Sequence, residues 1–144
     1  MSTADRAKLK RLRRLERLRG IARQTALSEA ARAEQTLAQV TNLEARTTAL
    51  IEAYRLRRDA RDGIELRQTQ QFVAGLARIA DQTSADLARA REAADARAAE
   101  AAEAERRRAA VDERIETARQ RIARKSAENA QPAAPSSPLG TPLE

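Results

Sequence analysis

Apolar residues recur along this chain at steps of three and four, most regularly in its second half. From Val73 the steps run through Leu76, Ala80, Thr83, Leu87, Ala90, Ala94, Arg97, Ala101, Ala104, Arg108, Val111, Ile115 and Ala118 to Ile122. Only Thr83, Arg97 and Arg108 interrupt the apolar character. A spacing averaging 3.5 residues, held this long, predicts a helix with a coiled-coil seam. From Ala90 to Ala104 the seam is mostly alanine, which lets helices approach closely but buries little area.

The first half also reads as helix, with a broader stripe. It carries Leu9, Leu12, Leu15, Leu18 and Ile21, then Ala22, Ala26, Ala30, Ala33, Leu37, Val40, Leu43, Leu50, Ile51 and Tyr54. Leucines at every third position drift around a helix by about 60° per step. Asp5 or Thr3 can cap its start, with Ser2 as an alternative. The two patterns are separated by Arg58-Asp59-Ala60-Arg61-Asp62-Gly63, where Asp62-Gly63 is the best turn signal of the first 128 residues. Gly63 can take the left-handed conformation that ends a helix. Gly20 and Gly75 sit inside intact periodicity and read as tolerated.

All four prolines (Pro132, Pro135, Pro138, Pro142) fall in a Pro/Ser-rich end, so 129–144 is expected to be disordered. The expected fold is all-α: an antiparallel coiled-coil hairpin over 1–128, with helices about 4–60 and 64–128 and a turn about 59–64. Near-equal helix lengths favour the hairpin over one continuous helix in an intermolecular bundle.

Composition removes most chemistry. Of 144 residues 42% are hydrophobic and 34% charged, but only 1% are aromatic, Tyr54 and Phe72 being the sole rings. Large apolar side chains are too sparse for a layered globular core. The absence of His and Cys excludes imidazole catalysis, thiol nucleophiles, zinc fingers and disulfides. No Gly-rich phosphate loop is present, so neither common nucleotide motif is available. Acidic pairs such as Glu103/Glu105 and Asp112/Glu113 read as solvated helix faces. The expectation is a non-enzyme with no catalytic, cofactor-binding or metal-binding residues and no small-molecule substrate. No apolar run spans a bilayer, and Arg11, Arg13, Arg14 and Glu16 break any secretory h-region.

The charge is polarised. Residues 1–24 hold nine Lys/Arg and two acids, which accounts for the whole net charge of +7. In a hairpin this basic segment lies beside Arg114–Lys125, and such a field calls for an acidic or phosphate-rich partner. A DNA-reading basic region would continue into a parallel zipper, and single-strand binding would need stacking aromatics. Neither is present, so no specific nucleic-acid partner is expected. A basic coiled coil on nucleic acid or anionic membrane remains an alternative.

The stretch Gln70-Gln71-Phe72-Val73-Ala74-Gly75-Leu76-Ala77-Arg78-Ile79-Ala80-Asp81-Gln82 resembles the signature of the flagellar export protein family FliJ. Chain length, a Leu/Arg-rich start and Arg/Glu heptads at the end of the second helix agree, so the resemblance spans about residues 4–128. Members of that family are antiparallel two-helix coiled coils of the bacterial flagellar type III export apparatus. The resemblance implies three partners: the hexameric export ATPase, whose ring assembly such proteins promote, the membrane export gate protein, and export chaperones. It implies gate contacts at Phe72, Leu76, Ile79 and Thr83, with Leu50 and Tyr54 from the first helix. The ATPase-ring contact is expected at Leu9, Arg11, Leu12, Arg13, Arg14 and Leu15. The implied location is cytoplasmic, peripheral at the inner membrane at the flagellar base. An injectisome stalk of a virulence-type secretion system would share the architecture.

Overall fold

A computed structural model describes residues 1–57 and 61–131. Two helices account for nearly all of them: α1 over Thr3–Leu56 and α2 over Gly63–Ala130. They pack against each other as an antiparallel coiled-coil hairpin, and the described residues contain no strand. A single continuous helix is therefore ruled out. The expected turn residues Asp59 and Ala60, and the expected disorder of 132–144, lie outside the described residues. Residues 129 and 130 belong to α2.

The helix ends follow from local chemistry. Ser2 provides the cap of α1: its hydroxyl accepts the Asp5 N–H at 3.1 Å and its carbonyl accepts the Arg6 N–H at 3.1 Å. α1 closes with a tightened turn in which the Arg57 N–H reaches the Tyr54 carbonyl at 3.3 Å. It ends at Leu56, four residues short of expectation. Gly63 does not end a helix in the left-handed conformation; no described glycine has positive φ, and Gly63 is the first residue of α2. Asp62 caps it, with Oδ1 accepting the Glu65 N–H at 2.8 Å, while Glu65 Oε2 accepts the Arg61 N–H at 3.0 Å. This reciprocal arrangement is close to a capping box.

The chain divides into two compact units: Met1–Arg19 with the residues from Arg107 on, and Gly20–Arg106. In the first unit, Leu9, Val111, Ile115 and Ala118 are buried, and Leu12 and Ile122 are partly covered. Asp5, Glu16, Arg19 and Arg108 occupy the same seam, also partly covered. Asp5 pairs with Lys125 at 3.9 Å.

In the second unit the seam takes Leu76, Thr83, Leu87, Ala90, Ala94 and Ala101 from α2. From α1 it takes Ala26, Ala30, Ala33, Leu37, Val40, Thr47, Ile51 and Tyr54, with Arg23 and Glu44 also partly covered. Thr47 satisfies its hydroxyl by donating to the Leu43 carbonyl at 2.8 Å. Between Val73 and Ile122, Arg97 is the one seam position of α2 that stays exposed; it reaches out to Glu29 at 2.9 Å. Arg23 pairs with Glu105 as well.

The seam of α1 is thus a strict alternation of four and three, from Asp5, Leu9, Leu12 and Glu16 through to Thr47, Ile51 and Tyr54. Following heptad usage, Leu9, Glu16, Glu44 and Ile51 are a positions, as are Val73, Ala80 and Ile115 of α2. The residue just before each a position is g. In an antiparallel pair, g residues of the two helices border the same side of the seam.

Candidate partner-binding surfaces

Each unit presents one surface that burial within the hairpin leaves available. In the second unit it is apolar. Phe72 and Ile79, the g residues before Val73 and Ala80, are each 48% exposed. Leu43 and Leu50, the g residues before Glu44 and Ile51, are 51% and 47% exposed. The register therefore sets four large apolar side chains on one side of the seam. Tyr54 is half-buried and meets Phe72 ring to ring.

The six expected gate-contact residues separate into two groups. Phe72, Ile79 and Leu50 are exposed, with Tyr54 at their margin. Leu76 and Thr83, at 9% and 3% exposure, belong to the seam and are not available on a surface. Steps of three and four from Val73 turn them inward, so Phe72, Leu76, Ile79 and Thr83 do not form one exposed stripe. Leu43 joins the surface, though in sequence it reads as part of the inward stripe of α1. Its signal is the heptad of α1, which Glu44 and Thr47 conceal by being polar at seam positions.

The surface of the first unit is electrostatic. Its described residues contain fifteen Lys/Arg and six Asp/Glu, whereas Gly20–Arg106 contains thirteen and fourteen. The positive excess of the basic start of α1 is thus joined by that of the end of α2. Of the six expected ATPase contacts, Arg11, Arg13 and Arg14 are exposed, and Leu12 and Leu15 are partly covered. Leu9 is buried in the seam, so it holds the unit together rather than facing a partner. Asp5 is kept charged to lower pH than an ordinary carboxyl, mainly by its hydrogen bond with Ser2; desolvation opposes this, and the attraction of Lys125 adds to the lowering.

Among the described residues no cluster of Asp and Glu could hold a metal ion, and no helix is long and apolar enough to cross a membrane. The concavities are shallow grooves, two of them lined by both helices. No family model matches the chain, and no curated protein or solved structure is detectably similar to it.

Proposed function

We propose that this chain is a non-enzymatic stalk and adaptor of the bacterial flagellar type III protein export apparatus, working at the cytoplasmic face of the inner membrane. In this reading its basic unit engages the hexameric export ATPase and promotes ring assembly, its apolar surface docks on the export gate protein, and it escorts export chaperones.

One observation carries the reading. The signature-like stretch keeps two large apolar residues, Phe72 and Ile79, half-exposed, while Val73, Leu76 and Ala80 between them hold the hairpin together. Contiguous exposed apolar patches mark partner surfaces more than singly scattered apolar residues do. The hairpin needs neither residue for its seam, so their position suits a docking role. The test is binding of the full chain to the flagellar export ATPase and to the cytoplasmic part of the gate protein from the same genome. Gate binding that disappears in Phe72→Ala and persists in Arg11→Glu/Arg13→Glu/Arg14→Glu supports the assignment. Absence of binding to both proteins at physiological salt rejects it.

The charge of the first unit favours a second reading, a basic coiled coil on phosphate-rich surfaces. Binding only to nucleic acid or anionic vesicles, with steep loss in salt, would support it. The injectisome version of the stalk would bind the ATPase of that system instead.

A further inference from the structure

The first unit is basic, but its charges are not spread evenly around it. A groove of about 370 Å³ runs between the helices, with Leu12 and Ala118 at its base, Lys8, Arg114 and Arg121 along its walls, and Ala110 and Thr117 on its outer flank. Lys8, Arg114 and Arg121 are all g residues, so the groove follows the g side of the seam. Glu113 at its rim is the one acid lining it. Asp112 and Glu116 fall on the opposite side of the seam, which leaves the groove cationic. Glu128, the next g residue after Arg121, lies beyond the groove lining.

We propose that this groove is the docking site for an acidic amphipathic helix of a partner protein, which adds locally as a third helix. The walls call for carboxylates, because guanidinium groups bind them with two parallel hydrogen bonds. Arg114 and Arg121 stand seven residues apart, about 10.5 Å along α2. Acids at heptad spacing on an incoming helix repeat at the same interval. The floor calls for apolar side chains between those acids, since Leu12 and Ala118 offer no hydrogen bond and Ala110 extends the apolar lining to the flank. A phosphate backbone satisfies the walls but brings nothing for the floor. The occupant is therefore a helix with leucine or alanine on one stripe and Glu or Asp beside it.

This inference stands on the groove alone, and its test uses neither the export ATPase nor the gate. The probe is a labelled peptide of three heptads, with leucine on one stripe flanked by glutamate, titrated with the full chain at about 0.15 M salt. A peptide of the same composition in scrambled order is the control. The helix should bind, and Arg114→Glu/Arg121→Glu should weaken it at least about tenfold. Ala110→Phe, which fills the groove without changing charge, should weaken it by a similar factor. Arg13→Glu/Arg17→Glu, away from the groove, should have little effect. Helical melting of each variant guards against unfolding as the cause. The proposal is overturned if the helical peptide does not bind, if the scrambled peptide binds as tightly, or if both arginine pairs matter equally. Competition by a short DNA duplex that is unaffected by Ala110→Phe would identify a phosphate surface instead.

Discussion

The rings of Phe72 and Tyr54 meet with centroids 4.8 Å apart and planes tilted by 56°, joining the first turns of α2 to the last turn of α1. The guanidinium of Arg57 stands 5.1 Å from the centroid of the Tyr54 ring. The chain has no other aromatic residue, so its entire ring surface is gathered at one place. Phe72 is nonetheless half-exposed, which separates its contribution to folding from that of its buried neighbour.

That separation can be measured. Leu76→Ala removes a buried seam side chain and should cost about 2–5 kcal/mol. Phe72→Ala loses the tilted ring pair and part of a contact area, about 1 kcal/mol. Ile79→Ala should cost no more. Thermal melts followed by circular dichroism rank the three. A Phe72→Ala midpoint as low as that of Leu76→Ala would assign Phe72 to the seam and remove the apolar docking surface.

Gly75 is a helix-interior glycine with ordinary φ, and a Cβ placed on it meets no atom within 4 Å. Gly75→Ala should stabilise the hairpin by about 0.5–1 kcal/mol through backbone entropy. A higher denaturant midpoint with an unchanged slope is the expected result.

Asp62 starts α2 through its bond to the Glu65 N–H. Asp62→Ala should cost about 1 kcal/mol. The loss should be local, visible as faster amide exchange over residues 63–67 with the rest of α2 protected. Uniformly faster exchange along α2 would mean that the cap governs the whole helix.

Asp5 has a folded pKa below its ordinary 3.8. A depressed carboxylate contributes stability above the unfolded pKa and loses it as pH falls through the folded value. The first turn of α1 should therefore loosen as pH falls below 3.8, when the carboxylate takes up a proton and gives up first its bond with Ser2 and then its attraction to Lys125. Asp5→Asn should remove that step from an amide-exchange titration, and its persistence would place the acid transition elsewhere.

The fold was legible where the seam is chemically simple. α2 keeps apolar residues at most seam positions, so its register could be read directly, and the structure departs from it only by leaving Arg97 exposed. α1 places Asp5, Glu16, Arg19, Arg23, Glu44 and Thr47 in its seam, while Leu18, Ile21, Leu27, Leu43 and Leu50 remain exposed. Hydrophobicity therefore blurs the buried face of α1 rather than defining it, and long polar side chains can line a seam by extending their heads toward water. Asp62-Gly63 marks the reversal between the helices, but Gly63 opens α2 instead of ending α1. An Asp before a Gly marks a chain reversal equally well from either flank, and only Glu65 three residues on identifies it as a helix start.

The alanine stretch of the second unit has a consequence for motion. Ala94 and Ala101 bury small, nearly identical side chains alongside the Ala26, Ala30 and Ala33 stretch of α1, which the Arg97–Glu29 and Arg23–Glu105 pairs hold beside them. A shift along the axis would still leave some alanine facing alanine there, so this stretch does little to fix the axial register. Knobs of one size have no single preferred hole. Placement along the axis then falls to features that do not repeat: Leu87 and Thr83 on one side, the Arg23–Glu105 and Arg97–Glu29 pairs on the other. Salt that screens those exposed pairs would loosen the axial setting while leaving both helices intact, giving the middle of this hairpin the behaviour of a sliding joint.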